Sequence, residues 1–475
     1  MAQAPAAMGG EQVRELVTSW YAKARRAAPG TWGIAIADQS GKLLWSEQAD
    51  LPMIPASTVK LLTTGFARSV LGPSARRSTR VVGTGRLDPE TGTWVGTWAL
   101  EVNGDPTLER PQGQGPRLVE LAEQLRANGI RRLTGPFRVV SADGPADAWY
   151  PEAWAPKHRS RLFAPKVGPL TIHENTVWFS IAPAARPGQR PVVSGASPRG
   201  IESLIDVRAR TVAGRRARLA IQPAGNGGWV VTGTIGTRAG ARRFAQPASD
   251  PRAVLQAAWA RALADAGVAW APSDAGMASL SGDVPKAIAE VESPPFDSVA
   301  SEVNRRSLNY AAELLLQWAG GRYTGPDKLM EHVRQITGTR DGVHLVDGSG
   351  LSYEDRVSPN TFISYLAKFP TTPAGRNFPQ LLPANGTGTL RRLNSGLPGE
   401  GVVRAKTGTL GMVSSVVGYL GRPDGVLLVS LIYNGPRVYT ARQQQWKLFR
   451  MLGANGVIIP ADSAGMGEEN RLGGD

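Results

Sequence analysis

The sequence contains no cysteine in 475 residues. It therefore cannot form a disulfide scaffold, a cysteine-ligated zinc or iron–sulfur site, or a catalytic thiolate. Histidine is also scarce, and no two histidines have the spacing of metal ligands, such as an HExxH motif. The four histidines are His158, His173, His332 and His344.

Several common catalytic and nucleotide-binding motifs are missing as well. No G-x-S-x-G sequence is present, which argues against a hydrolase with a Ser-His-Asp triad. There is also no Walker loop, and no G-x-G-x-x-G follows a predicted strand. These absences argue against a nucleotide-binding protein.

Long hydrophobic runs are missing too, since none approaches the roughly 18 residues of a membrane span. The longest strongly apolar stretch, Val426 to Tyr433, has the length of a strand. The N-terminus has no basic and apolar signal segment, but Ala2-Gln3-Ala4 resembles the remnant of a small-residue cleavage site. Either the protein stays inside the cell or its signal peptide is not in this sequence, and we expect the second, a periplasmic or other extracytoplasmic protein.

Positive charge exceeds negative charge by 15, and most of the excess is arginine scattered along the chain. The simplest interpretation is a solvated cationic surface. The alternative is an anionic partner, such as a cell-wall polymer, lipid headgroups or nucleic acid. Hydrophobic residues at 41% and charged residues at 20% are typical of a globular protein.

The hydrophobic pattern divides the chain into three parts. Helices at 11–28 and 57–71 flank a hairpin at 32–47, whose turn is Gln39-Ser40-Gly41. From about residue 81 the pattern changes to short strands with glycine turns, plus helices at 117–128 and 250–266. After Ser293-Pro294-Pro295 we predict three helices, three strands and a closing helix, at 296–305, 308–318, 327–337, 402–406, 414–420, 426–433 and 440–452.

This order predicts an α+β fold in which one antiparallel sheet with helices is interrupted by a large insert. We assign residues 11–80 and 288–460 to the main domain and 81–287 to an inserted α+β region. Residues 1–10 and 461–475 are predicted to be flexible tails.

Three short motifs carry candidate chemistry. Ser57 and Lys60 stand at a helix start, three residues apart and so on one face, where a lysine of lowered pKa can act as a base. Ser307-Leu308-Asn309 is a weaker second motif. The third is Lys406-Thr407-Gly408-Thr409, in which Lys406 and Thr407 would bind a carboxylate and Gly408 would let a substrate lie close to the strand.

The order SxxK, SxN, KTG is the motif set of penicillin-binding proteins and β-lactamases. The chain resembles the D-alanyl-D-alanine carboxypeptidase/endopeptidase family of class C low-molecular-mass penicillin-binding proteins. Further strings that carry this resemblance are Gly104-Asp105-Pro106-Thr107-Leu108 and Asp347-Gly348-Ser349-Gly350-Leu351-Ser352. The large insert fits too, since 250 residues separate Ser57 from Ser307.

The resemblance implies a β-lactamase/transpeptidase-like domain with two small inserted domains, and a serine peptidase that needs no metal or organic cofactor. It implies that Ser57 is acylated, that Lys60 takes its proton, and that Ser307 relays a proton to the leaving amine. It further implies that Asn309 holds Lys60 and the substrate amide. In the third motif Lys406 would supply positive charge, Thr407 would bind the terminal carboxylate, and Thr409 and Ser57 would form the oxyanion hole.

Two departures from the family pattern stand out. The second motif has Leu308 where the family commonly has aspartate, but only the outer residues carry chemistry. After Ser352 the family often has an arginine that binds the side-chain carboxylate of diaminopimelate, whereas this chain has Tyr353, with Arg356 three residues later. Asp147 belongs to a segment resembling the insert loop that reaches the same pocket, so we expect lysine or ornithine as the third residue of the stem peptide.

The partners implied are peptidoglycan stem peptides and β-lactam antibiotics as covalent inhibitors. Anionic cell-envelope polymers are a further candidate, no nucleic acid is expected, and a homo-oligomer is compatible with the sequence. Two other functions stay open: a β-lactamase of the same fold, for which we find no dedicated deacylating residue, and a non-catalytic cell-wall-binding protein.

Overall fold

The computed structural model describes residues 9–159, 161–272, 285–339 and 341–459. The tails that the sequence predicts lie outside these residues, apart from Gly9 and Gly10 at the start of the first helix. The chain divides into two compact units. Unit 1 contains the residues up to Ser74 and those from Phe296 onward, and unit 2 is Ala75–Pro295.

The N-terminal part of unit 1 forms two helices around a hairpin. Its elements are α1 (Gly10–Ala27), β1 (Thr31–Ala37), β2 (Leu43–Glu47) and α2 (Val59–Leu71). The buried face of α1 carries Val13, Val17, Trp20 and Ala24, at the spacing of an amphipathic helix. The hairpin turn is closed by Asp38, whose carboxylate accepts the backbone N–H groups of Ser40 and Lys42 at 2.9 and 3.1 Å.

The described residues of unit 2 form two α-helices and three sheets. Its elements are β3 (Ser78–Asp88), β4 (Thr93–Glu101), α3 (Leu118–Ala127), β5 (Arg132–Thr134), β6 (Val139–Val140), β7 (Thr176–Ala182), β8 (Val192–Ser197), β9 (Ile205–Val207), β10 (Arg210–Val212), β11 (Ala217–Pro223), β12 (Trp229–Gly236), β13 (Arg242–Pro247), α4 (Pro251–Asp265), β14 (Ala269–Ala271) and β15 (Lys286–Glu292).

The largest sheet of unit 2 has the order β14-β5-β4-β3-β15, and β6 pairs with β4. The other two have the orders β10-β12-β11, with β9 beside β12, and β13-β7-β8. Apolar residues from these sheets and from α3 and α4 form one contiguous buried cluster. The division of the insert into two small domains therefore stays a prediction.

The C-terminal part of unit 1 supplies most of its helices and strands. They are α5 (Phe296–Arg306), α6 (Asn309–Gly320), α7 (Gly325–Thr337), β16 (Val343–His344), β17 (Arg356–Val357), α8 (Pro359–Lys368), β18 (Val403–Leu410), β19 (Val413–Arg422), β20 (Gly425–Asn434) and α9 (Val438–Leu452).

The main sheet of unit 1 joins the two ends of the chain. Its order is β18-β19-β20-β1-β2, and every pair is antiparallel. Helices α1 and α9 share a buried apolar cluster with one face of this sheet, while α8 contacts β1, β19 and β20. Because every residue of β19 is buried, the central strands are covered on both sides.

The predicted α+β fold with an interrupted antiparallel sheet is confirmed. The predicted boundaries at 81 and 288 differ from those of the structure. Strand β3 already begins at Ser78, and β15 pairs with it along the edge of the largest sheet of unit 2. Residues 288–292 therefore belong to the insert. Among the described residues, no helix is long and apolar enough to cross a membrane.

Candidate active site

The first motif lies where a short 3-10 helix, Ala56–Thr58, leads into α2. This turn leaves Ser57 partly exposed while the side chain of Lys60 is fully buried one helical turn later. The Lys60 amine donates to the Ser57 hydroxyl, with Nζ and Oγ 3.0 Å apart. Ala56 has a left-handed φ of 50°, an uncommon conformation for a residue other than glycine that is found more often at functional sites.

Two further acceptors hold the Lys60 amine in place. Its Nζ is 2.6 Å from Oδ1 of Asn309, the first residue of α6, and 2.6 Å from the carbonyl oxygen of Ser349. Burial lowers the pKa of Lys60 to about 7, although the nearby carboxyl groups of Asp347 and Glu313 act in the opposite direction. An amine with this pKa is partly neutral at neutral pH and can accept a proton from a serine.

The second and third motifs meet at another lysine–serine pair. The Lys406 amine donates to the Ser307 hydroxyl, with Nζ and Oγ 2.9 Å apart, and to the carbonyl oxygen of Thr407 at 2.8 Å. Burial, and then the charges of Lys60 and Arg442, lower the pKa of Lys406 well below its usual value. Ser307 has a left-handed φ of 59° in the bend between α5 and α6.

Gly408 allows β18 to approach the segment that carries Ser57. A β-carbon at Gly408 would lie 2.7 Å from the carbonyl oxygen of Pro55 and 2.9 Å from the backbone nitrogen of Ser57. Ser415 on β19 donates to the same Pro55 carbonyl at 2.5 Å. The sequence predicted that Gly408 makes room for substrate, but the packing gives a further reason for glycine here. Beside it Thr407 is buried and Thr409 is exposed.

A cluster of buried carboxyl groups behind Lys60 was not predicted as part of the site. Asp347 accepts four backbone N–H groups of the loop from Ser349 to Ser352, at 2.6–3.1 Å. Glu313 accepts the N–H of Gly348 at 3.1 Å, and Asp355 that of Val346 at 2.9 Å. Burial raises the pKa of Glu313 to about 8 and also that of Asp355. One sequence feature could have indicated that Glu313 lies near the site, because Glu313 follows Asn309 by one turn of α6.

Arg442 on α9 is a second residue that the sequence did not single out. Its guanidinium donates to the carbonyl oxygens of Gly408 at 2.6 Å and Ser415 at 2.9 Å. It also donates to the Thr409 hydroxyl at 3.2 Å. Burial lowers the pKa of Arg442 to about 9. Arg442 thus stabilises the strand of the third motif through hydrogen bonds to its backbone. Nothing in the linear sequence distinguishes Arg442 from the other arginines.

The three residues predicted for side-chain recognition lie in different surroundings. Tyr353 follows the loop that touches Lys60, and its hydroxyl accepts the N–H of Gly411, in the turn after β18, at 3.4 Å. Arg356 donates to the carbonyl oxygens of Tyr353 at 2.7 Å and Asp355 at 2.8 Å, so its guanidinium is held by its own loop. Asp147 belongs to unit 2, and its place in the site stays a prediction.

The structure thus forms two lysine–serine pairs, Lys60 with Ser57 and Lys406 with Ser307, and Asn309 accepts a hydrogen bond from Lys60. Within the described ranges, no three histidine or acidic side chains are grouped closely enough to hold a metal ion. Chemically, the arrangement offers a hydroxyl nucleophile with an adjacent amine base, and a second hydroxyl beside the buried amine of Lys406.

Comparison with known proteins identifies the family. The D-Ala-D-Ala carboxypeptidase 3 (S13) family matches residues 20–451. A D-alanyl-D-alanine carboxypeptidase of Actinomadura sp. strain R39 is 27% identical over 436 residues, which cover 85% of this chain and 77% of that protein. A carboxypeptidase of Mycobacterium tuberculosis is 30% identical over 420 residues, covering 83% and 74%.

Solved structures share the fold. Penicillin-binding protein 4 of Haemophilus influenzae is similar with a TM-score of 0.71 at 19% identity, covering 91% of this chain and 98% of that one. A predatory endopeptidase of Bdellovibrio bacteriovorus has a TM-score of 0.52 at 13% identity, covering 90% and 94%. The family match defines the class of this protein, which is a serine peptidase. The chain belongs to the D-Ala-D-Ala carboxypeptidase 3 (S13) family.

Proposed function

We propose that this protein hydrolyses the terminal D-Ala-D-Ala bond of peptidoglycan stem peptides and the D-Ala–diamino acid bond of cross-links. The reaction would proceed through an acyl-enzyme on Ser57, outside the cytoplasm. The observation that carries this proposal is the contact of 3.0 Å between the Ser57 hydroxyl and the buried Lys60 amine. Membership of the carboxypeptidase family supports the choice of substrate.

In the first step Ser57 Oγ would attack the carbonyl carbon of the penultimate D-Ala and give its proton to neutral Lys60. The peptide C–N bond then breaks, and the leaving amine receives a proton through Ser307. The short contacts of Lys60 with Asn309 and Ser349 support this assignment, because they fix the amine toward Ser57. In the second step water attacks the Ser57 ester and releases the shortened peptide.

The third motif would bind and polarise the substrate. Thr407, next to the buried cation of Lys406, is assigned to the terminal carboxylate of the substrate. The backbone N–H groups of Ser57 and Thr409 are assigned to the developing oxyanion, where one donor is typically worth about 3 kcal/mol. The packing of Gly408 against the Ser57 segment supports this assignment, because a larger residue would displace that N–H.

The same nucleophile would open the ring of a β-lactam, which would acylate Ser57 and inhibit the enzyme. Tyr353 and Arg356 bear on the third residue of the stem peptide. Since Arg356 is held by two carbonyl oxygens of its own loop, we propose that lysine or ornithine is accepted at least as well as diaminopimelate. A tenfold preference in kcat/KM for the diaminopimelate peptide, abolished by Arg356→Ala, would overturn this part.

The proposed function is tested by release of D-alanine from a stem pentapeptide that ends in D-Ala-D-Ala. Wild type should release one D-alanine per peptide, and Ser57→Ala should release none above background. Ser69→Ala is the matched control, because Ser69 is an exposed serine on the same helix. Equal activity of wild type and Ser57→Ala would refute the assignment, and no release by wild type would refute the function.

A further inference from the structure

A large groove of about 1270 Å³ opens beside the third motif, entirely within unit 1. It lies between the C-terminal end of α5, the segment 388–392, the end of β18 and α9 from Val438 to Arg450. Sites for drug-sized ligands have volumes of about 300–1,000 Å³. This groove is therefore far larger than a single terminal alanine requires.

The charge of this groove has one sign. Among the described residues, its lining has no carboxylate and seven lysine and arginine residues, which are Arg305, Arg306, Arg391, Arg392, Arg442, Lys447 and Arg450. Arg305 is paired with Glu302 at 2.6 Å, and Arg450 donates to the carbonyl oxygen of Ser395 at 2.8 Å. We call the lined space the basic groove.

Arg306 is paired with Glu302 at 3.7 Å, and Arg442 is bound to β18 and β19 as described above, which leaves three cations of the basic groove available to a ligand. Arg391, Arg392 and Lys447 are exposed, and no ion pair joins them to a carboxylate within the described ranges. Arginine binds carboxylates through two parallel hydrogen bonds, and several cations in one groove concentrate anionic ligands. The groove is therefore suited to a ligand that carries several negative charges.

The position of the groove relates it to the reaction. Thr407 and Thr409 form part of its wall. In the proposed function the residue beyond the scissile bond lies beside Thr407, and the part of the substrate that departs with the amine begins there. In a cross-linked substrate this leaving part is a second stem peptide, joined through the amine of its diamino acid, and it keeps its own free carboxylates.

We propose that the basic groove binds the leaving stem peptide of a cross-linked substrate through its carboxylates. This binding favours cleavage of cross-links over removal of a terminal D-Ala, which leaves as a single residue and does not reach Arg391, Arg392 or Lys447. The proposal rests on the proposed function, since it needs the same acylation of Ser57 in which only the leaving amine differs.

The test compares two substrates with one triple variant, Arg391→Gln/Arg392→Gln/Lys447→Gln. One substrate is a stem pentapeptide ending in D-Ala-D-Ala, and the other is the cross-linked dimer of the same stem. We expect kcat/KM for the dimer to fall tenfold or more, which is about 1.4 kcal/mol. The value for the pentapeptide should stay within about threefold, in keeping with the small worth of exposed charges.

A matched control removes three exposed cations elsewhere in unit 1. Lys23→Gln/Arg25→Gln/Arg26→Gln changes the net charge equally on α1, which does not line the groove. This control variant should change kcat/KM for the pentapeptide and for the dimer by the same small factor. A dimer whose leaving stem has amidated carboxylates should be cleaved equally by wild type and the groove variant.

Two results would overturn the proposal. The groove variant could lose activity on both substrates equally, or keep both rates while losing retention on immobilised polyphosphate. The second result would make the groove a site for a phosphate polymer. Failure of the proposed function looks different, because wild type would then cleave neither substrate and would form no adduct with benzylpenicillin.

Discussion

The rate of acylation by a β-lactam should depend on pH through Lys60. Only the neutral amine can take the proton of Ser57, so the rate should follow the neutral fraction of Lys60. Burial lowers the pKa of this lysine from 10.5 to about 7. As the pH rises through about 7, the amine loses its proton, and the rate should increase and then level off.

The size of the effect follows from these two values. With a pKa of about 7, half of the enzyme has a neutral Lys60 at pH 7. A lysine with its ordinary pKa would be neutral in roughly 0.03% of molecules at that pH. Below pH 6 the acylation rate should therefore rise about tenfold for each pH unit, and above pH 8 it should be nearly constant.

The assay is stopped-flow acylation by a chromogenic β-lactam between pH 5 and pH 9.5, with circular dichroism to check that the fold is unchanged. Lys60→Ala should react slowly and should lack the step near pH 7. A wild-type rate that is flat across this range, or that still rises about tenfold per pH unit between pH 8 and pH 9.5, would show that Lys60 is not the base with the lowered pKa.

Three further predictions concern single residues. Ser307→Ala should lower the acylation rate 10²- to 10⁴-fold, as expected for a lost proton transfer, with a melting temperature close to that of wild type; a loss below threefold would exclude this role. Gly408→Ala should lower kcat about 100-fold, because a β-carbon there crowds the backbone nitrogen of Ser57. The control is Gly411→Ala, whose new β-carbon would lie 3.4 Å from its nearest neighbour and whose kcat should be close to that of wild type. Glu313→Gln should become more stable relative to wild type as the pH rises from 5 to 8, by on the order of 2 kcal/mol in thermal unfolding. The reason is that the pKa of Glu313 is raised from 4.5 to about 8 in the folded protein, so in this pH window the folded state binds more protons than the unfolded state. Wild type therefore loses stability as the pH rises, and the glutamine variant does not. Equal pH profiles of the two proteins would contradict the prediction.

Local patterns in the sequence were sufficient for most of unit 1. The 3.6-residue spacing of Val13, Val17 and Trp20 predicts α1, and the turn residues Gln39-Ser40-Gly41 predict the hairpin. Ser57 and Lys60 were found because a spacing of three places two side chains on one helix face. Helix α8 was missed, although Ser358 followed by proline is a helix-start signal and its hydroxyl accepts the N–H of Thr361.

The remaining features depend on the tertiary fold. Glu313 and Arg442 reach the site only because α6 and α9 pack beside the motifs, and no pattern of neighbouring residues contains that information. The boundary at 288 was misplaced because β15 is defined by its pairing with β3, some 200 residues earlier in the chain. Three-residue strands of unit 2, such as β9 and β10, are too short for periodicity to predict.

The central claim is that Ser57 is the nucleophile, and intact mass spectrometry after exposure to benzylpenicillin tests it most directly. Wild type should gain one equivalent of the intact antibiotic, and proteolysis should place the adduct on the peptide that contains Ser57. Ser57→Ala should gain none, while Ser69→Ala should gain one. An adduct on Ser57→Ala, or unmodified wild type under the same conditions, would contradict the account.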